Sequence, residues 1–182
     1  MFHRTERLFL RPGFPEDWQA IHAAIASRDI VCNLASAPWP YTPGDAQDFA
    51  ARRQNSRMPH FLVTLPGIGI IGSAGLGPDE TGAVQLGYWI AREYQGRGYA
   101  TEAARGVLAV ARSLGHRRIV ATHFVDNPAS GRVLLKAGFR PTGEIRPGYS
   151  LARGGYDPVA CYEIALAGLN CAEAVCHLPQ AA

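Results

Sequence analysis

The stretch "YWIAREYQGRGYATEAARGVLAVARSLG", Tyr88 to Gly115, joins an apolar strand pattern to a long helix through a glycine-rich loop. The strand ends near Ile90, the loop delivers Gln95, Gly96, Arg97, Gly98, Tyr99 and Ala100, and the helix begins at once. Ala103, Val107, Val110, Ala111 and Leu114 recur at helical spacing and predict one apolar face, with Gly115 as the stop. The first turn of a helix has N–H groups without intrahelical partners, and Gly96 and Gly98 would let a ligand approach them closely. An anion there gains roughly 0.3 to 2 kcal/mol per favourable contact from those groups and the helix dipole. The junction therefore predicts a phosphate site. No G-K-[ST] follows the glycines, which excludes a nucleoside-triphosphatase loop, and Thr101 stands where a dinucleotide loop has its third glycine.

A second glycine run, "GIGIIG" from Gly67 to Gly72, matches the dinucleotide fingerprint letter for letter but lacks its context. It lies between the β-branched runs "HFLVTL" and "IGIIGSAGL", with Pro66-Gly67 as the turn, and no helix follows Gly72. A hairpin explains it better than NAD does.

With 182 residues, 47% of them hydrophobic, the chain can bury one core and is short for two, so one domain over 1–182 is expected. No apolar run reaches the ~18 residues that cross a bilayer, and "MFHRTERLFLRP" is too charged for a signal peptide, which predicts a cytoplasmic protein without a membrane partner. The net charge of +3 is spread along the chain, so nucleic-acid binding is not expected. Cys32, Cys161, Cys171 and Cys176 form no C-x-x-C pair, and Cys171, Cys176 and His177 are read as tail residues, so no metal is expected.

The remaining pattern predicts a strand at "RLFLRP" with Leu8 and Leu10 on one face, and a helix from Pro15 with Trp18, Ile21, His22 and Ile25 as its stripe. A second helix capped by Thr42 would reach about Gln54. Between them, Trp39 and Tyr41 in "SAPWPYTPGD" either seal the core beneath the loop or wall a substrate pocket. Asn127-Pro128 opens a helix that Gly138 closes, and "FRPTGEI" and "DPVACYEIAL" are two strands joined by a glycine-rich loop holding Tyr149 and Tyr156. The order is strand, two helices, three strands, helix, strand, helix, two strands.

Q-G-R-G-Y-A between "YWI" and "TEAA" resembles the acetyl-CoA pyrophosphate loop of the GNAT superfamily of N-acetyltransferases, whose pattern is [QR]-x-x-G-x-[GA]. "DNPASGRVLLKAGF" is similar to the superfamily segment in which an Asn opens a helix and Gly-Phe closes it, and "RTERLFLRP" to the first strand of its RimJ/RimL-like branch. The resemblance runs from about residue 4 to 166 and leaves 167–182 outside it. It implies an α+β fold with a central mixed, mostly antiparallel sheet flanked by helices, and direct transfer of an acetyl group from acetyl-CoA to an amine. The acceptor would be a protein N-terminus or a small-molecule amine, and relatives are often homodimers.

The resemblance also implies roles. Gln95 to Ala100 would hold the pyrophosphate, backbone N–H groups at Trp89 and Ile90 would meet the carbonyl oxygen, and Asn127 would bond the pantetheine arm. Many relatives protonate the thiolate with a Tyr seven residues after that Asn. Leu134 stands there, and Ser130 matches the alternative of the RimJ/RimL-like branch. As first-turn helix residues, Asn127 and Ser130 also have sufficient structural roles. Gln85 occupies the position where relatives often place a Glu as base. It would face the substrate and order a water, or Glu80, Asp126, His123 or Asp157 would take the proton. An α-amine, with a reference pKa near 7.7 to 8.0 against about 10.4 for lysine, needs a base less. A CoA-binding module without catalysis and a peptide-binding scaffold with a vestigial loop are the competing readings.

Overall fold

The computed structural model describes residues 1–166; the Cys171, Cys176 and His177 trio and the order of the tail lie outside the described residues. Eight strands form one sheet in the order β1-β2-β3-β4-β5-β6-β8-β7. They are β1 (His3–Arg4), β2 (Phe9–Arg11), β3 (His60–Leu65), β4 (Gly69–Pro78), β5 (Val84–Ile90), β6 (Arg118–Phe124), β7 (Arg140–Ser150) and β8 (Gly155–Ala165). Every neighbouring pair is antiparallel except β5 and β6.

Strand alternation sorts the apolar side chains into two cores. On β3, Phe61 and Val63 join Leu8, Leu10 and Ile71 beneath α4 (Tyr99–Ser113) and α5 (Pro128–Ala137). Leu62 points the other way, to Ile21, Ile25, Val31 and Tyr41 beneath α1 (Trp18–Ile25), α2 (Arg28–Val31) and α3 (Pro43–Ala50). Each large aliphatic or aromatic side chain so enclosed contributes roughly 1.5 to 3 kcal/mol. Helices cover both faces, and the α+β expectation holds.

Several boundaries differ from the sequence reading. A 3-10 turn, Pro15–Asp17, precedes α1, so the helix proper starts at Trp18. Thr42 does cap α3, its hydroxyl accepting from Asp45 N–H at 3.2 Å while Asp45 accepts from Thr42 N–H at 2.7 Å. The helix ends at Ala50 and not near Gln54, because Arg52, Arg53, Gln54 and Asn55 are all exposed and give a further turn nothing to bury. Two short elements, β1 and α2, were not anticipated. Tyr149 and Tyr156 lie in strands, not in a loop: they sit opposite each other across β7 and β8, with ring centroids 5.2 Å apart. The connecting turn is only Leu151 to Gly154.

The "GIGIIG" run is a hairpin, as its context implied. Gly67 in the β3–β4 turn and Gly69 at the start of β4 adopt φ of +77° and +110°. Gly72 lies within β4, where an added Cβ would stand 2.3 Å from the Trp89 carbonyl oxygen. Its smallness serves strand packing and no nucleotide.

Candidate active site

The parallel register between β5 and β6 contains a single pair, Gln85 opposite Val120, and beyond it the strands part. Which backbone groups of β5 face that gap follows from its other neighbour. Ala91 N–H donates to Ile71 O at 2.8 Å. Antiparallel pairing alternates, so Trp89, two residues earlier and opposite Ser73, spends its N–H and C=O on β4. Tyr88 and Ile90 turn theirs toward β6. Trp89 is thereby corrected as a donor to the gap: its N–H points the wrong way, its side chain is buried in the core under α1–α3, and Ile90 keeps the assigned orientation.

The same phase shows in Gln95, whose Nε2 donates to the Ile90 carbonyl at 2.8 Å. That side chain shapes the loop from within. Gly96 and Gly98 have φ of +74° and +83°, a backbone open only to glycine at low cost. Nothing lies within 4 Å of an added Cβ at Gly96. Gly98 is the N-cap of α4, no side chain caps it, and the first helical bond is Glu102 N–H to Gly98 O at 3.1 Å. The N–H groups of Tyr99, Ala100 and Thr101 therefore lack intrahelical partners. Three donors beside two glycines form a cradle that fits a pyrophosphate.

The cradle is braced from the far end of the chain. Arg7 donates through Nε to Glu102 at 2.7 Å and through Nη1 to the Arg97 carbonyl at 3.1 Å, and its guanidinium sits 4.6 Å from the Tyr99 ring centroid. Thr5 Oγ1 donates to the same carboxylate at 2.6 Å. Burial would raise the Glu102 carboxyl, but the bonds from Thr5 and Arg7 outweigh it and hold the pKa low. Arg97 itself is exposed, its guanidinium 5.7 Å from the Tyr94 ring centroid. Outside α4 a cleft of about 540 Å³ runs from Gly98 past Arg105 to Lys136. It adjoins the cradle without entering the β5/β6 gap.

Across the gap, Asn127 caps α5 by accepting from Ser130 N–H at 3.3 Å. Ser130 Oγ lies 2.8 Å from the hydroxyl of Tyr88, which also approaches the Ser130 carbonyl at 3.1 Å. Burial pushes the Tyr88 phenol up to about 12, the Ser130 bond offsetting part of the rise and Tyr162 adding to it. His123 and Tyr162 stand behind this pair, Nε2 being 3.3 Å from the Tyr162 hydroxyl and Nδ1 2.8 Å from the Phe124 carbonyl. A carbonyl only accepts, so Nδ1 carries a proton toward Phe124, which leaves Nε2 facing the Tyr162 hydroxyl. Gly131 lets them approach, since its Cβ would lie 2.6 Å from His123 Nε2.

On the face of α1–α3, Gln85 Nε2 donates to Thr122 Oγ1 at 3.0 Å and bridges the two strands where they separate. Tyr41 is buried, with its hydroxyl donating to the Asp45 carbonyl at 3.3 Å, so it seals the core instead of walling a pocket. Trp39 is 44% exposed. Of the possible bases, Asp126 accepts from Arg153 at 2.8 and 2.9 Å, which holds its pKa low. Asp157 shares that arginine at 3.2 Å, and Glu80 lies 3.3 Å from Arg146.

Arg153, at the tip of the β7–β8 hairpin, also donates to the Cys32 carbonyl at 2.6 Å and stacks 4.0 Å from the Phe124 ring centroid. Beside it Ser150 Oγ donates to the Leu34 carbonyl at 2.9 Å. The hairpin, the segment after α2 and the turn into α5 are thus locked together around one side chain.

A family profile described as Acetyltransferase (GNAT) domain matches residues 7–140. The chain belongs to this family. An N-acetyltransferase of Bacillus subtilis, YoaA, is 34% identical over 152 residues, which cover 78% of this chain and 84% of that one. The GNAT-family acetyltransferase from Bacillus anthracis is 25% identical and superposes with a TM-score of 0.76 over 91% of this chain and 98% of that one. The structure of RimL, a ribosomal L7/L12 α-N-protein acetyltransferase in complex with coenzyme A, gives 0.77 over the same shares at 18% identity. This GNAT protein is an acetyltransferase, and the readings as a non-catalytic CoA module or a peptide scaffold fall away.

Sequence reasoning missed three residues around the GNAT site. Tyr88 was read only as part of a strand, although a tyrosine facing a core needs a partner for its hydroxyl. Arg7 and Arg153 act over 90 and 121 residues of chain, and nothing local announces them. Among the described residues no helix is long and apolar enough to cross a membrane, and no cluster of three or more His, Cys, Asp or Glu could hold a metal.

Proposed function

We propose that this enzyme transfers the acetyl group of acetyl-CoA directly to a primary α-amine, such as a protein N-terminus. The observation that carries the reading is the parting of β5 from β6 ahead of a helix with no side-chain cap, whose first-turn N–H groups lack intrahelical partners. A pyrophosphate fits those donors, and a pantetheine arm fits the gap, where Asn127 spends Oδ1 on its cap and keeps Nδ2 for a carbonyl of the arm. Preorganised donors aimed at developing negative charge are usually the largest catalytic contribution. The Ile90 N–H, directed into the gap, takes that part toward the thioester oxygen.

The amine must reach the thioester unprotonated. The three carboxylates considered for this role, Asp126, Asp157 and Glu80, are each held by an arginine. The Gln85 Oε1 orders a water that carries the proton away, which suffices for an amine whose pKa lies near 7.7 to 8.0. The RimL neighbour, named for α-N-protein acetylation, supports an N-terminal acceptor. Ser130 gives its proton to the departing sulfur.

Thermal unfolding with acetyl-CoA, with NAD as control, tests the cosubstrate. At ~100 times the dissociation constant a ligand adds about 2.7 kcal/mol, a rise of roughly 5 to 11 °C at this size. No rise with acetyl-CoA, or a rise with NAD, overturns the reading. Thiol release across peptides with free N-termini, lysine side-chain amines and polyamines then tests the acceptor, and preference for the last two groups defeats the α-amine assignment.

A further inference from the structure

Leu134, seven residues after Asn127, is 1% exposed in the core, so α5 offers no phenol to the gap. A phenol arrives from the opposite wall instead. Tyr88 stands on β5, and its oxygen lies 2.8 Å from Ser130 Oγ and 3.1 Å from the carbonyl of the same residue. Its one proton has two acceptors within a small rotation of the C–O bond. Because the carbonyl can only accept, the resting arrangement has the phenol donating to it while the Ser130 hydroxyl donates to the phenol oxygen. The carbonyl also serves the Leu134 amide along the helix, so it does not depend on the phenol.

We propose that Tyr88 is a positioning residue of the transfer step, turning its hydroxyl from the Ser130 carbonyl to Ser130 Oγ as that oxygen gives its proton to the departing sulfur. This rests on Ser130 being the proton donor. The C–S bond breaks with its electron pair passing to sulfur, the Oγ–H bond breaks, and an S–H bond forms. As the Oγ–H bond breaks, the Tyr88 O–H passes its proton to Oγ, so no alkoxide is left, and a water returns a proton to the phenol oxygen. The phenol, raised to about 12, is protonated before the step and gives up its proton only as Ser130 Oγ loses its own. The His123–Tyr162 pair closes the pocket behind it, Tyr162 adding to that rise and His123 Nε2 anchoring the Tyr162 hydroxyl.

The decisive variant is Tyr88→Phe, which removes one oxygen and keeps the ring that fills the core. Ultraviolet titration of the CoA thiolate in the binary complex, with desulfo-CoA as blank, reads the hydrogen bonding at sulfur without any acceptor amine. In the wild-type protein the bound thiol should titrate below free CoA, and Tyr88→Phe should lower the thiolate fraction at neutral pH about threefold or more. Turnover in Tyr88→Phe should fall about tenfold or more, with KM for acetyl-CoA within about twofold. Tyr88→Phe combined with Ser130→Ala should be no slower than Ser130→Ala alone, since residues acting as one unit are not additive. Absence of CoA binding by the wild-type protein would be a failure of the proposed function itself. Intact CoA binding with an unchanged thiol titration in Tyr88→Phe, or losses that multiply in the double variant, would overturn this inference alone.

Discussion

The Tyr88 hydroxyl and Ser130 Oγ, 2.8 Å apart, join a strand and a helix across the gap where the sheet opens. Either residue alone has an ordinary structural explanation; together they form a polar pair on the gap that we propose receives the thioester.

Ser130→Ala is expected to lower turnover by a factor on the order of 10² to 10⁴ if Ser130 is the proton donor. Asn127 Oδ1 accepts from the Ser130 amide and not from its hydroxyl, so the helix cap survives the change. Thiol release and a melting curve on the same sample separate the two roles. A lower Tm with full turnover would return Ser130 to helix chemistry.

Gly98→Val should weaken acetyl-CoA by about tenfold or more. Its φ of +83° costs an L-residue roughly 1 to 2 kcal/mol, and a branched side chain would crowd the cradle. Calorimetric titration measures it, and an unchanged Kd would move the pyrophosphate elsewhere.

Arg153→Met should cost about 2 kcal/mol, discounted for the exposure of Asp126, which lowers Tm by roughly 4 to 8 °C. The loss comes from the buried end, at the Cys32 carbonyl and the Phe124 ring. Arg153→Lys should recover little, because a lysine cannot reproduce the planar fork. Full recovery by lysine would mean that charge alone holds the hairpin tip.

His60 sets an acid limit. Burial, helped by Arg52, pushes its ring down from 6.5 to about 4, beneath Phe49 and beside Ser73 Oγ at 2.6 Å. As pH falls below 6.5 the unfolded chain takes up a proton that the folded ring refuses. This contribution is therefore complete above 6.5, shrinks as pH falls, and has gone by about 4, a change on the order of 3 kcal/mol. Asp17 and Glu102, whose folded pKa values are lowered, act in a separate window: their stabilisation is present above the ordinary carboxylate range and lost below it. Denaturant melts from pH 7 to 4 should show the first slope in the wild-type protein, and His60→Gln should flatten it.

The strand, glycine loop and helix from Tyr88 to Gly115 were legible because their determinants are local: two glycines needing positive φ, a strand before them and an apolar helical stripe after. The hairpin at Gly67 was legible for the same reason. The wall facing the cradle was not. Tyr88 reaches Ser130 only because β5 and α5 meet across a gap, and nothing local separates Trp89 from Ile90: the Ala91 to Ile71 bond fixes the phase of the strand. Tyr41 and Trp39 come from one proline-rich stretch, yet one is core and the other 44% exposed, a division decided by α3 and not by composition.

That phase makes β5 intolerant of a change in length. One residue inserted between Gln85 and Ile90 would swap the two edges of the strand beyond it, aiming the Trp89 amide into the gap and carrying Tyr88 to the opposite face of the sheet. Insertions in the turns on either side, around Thr81 or after Arg92, would leave the parity untouched. The turn around Thr81 can thus lengthen without disturbing the gap, whereas the count of residues from Gln85 to Ile90, and on to Gln95, whose side chain bonds the Ile90 carbonyl, is fixed as firmly as any side chain between them.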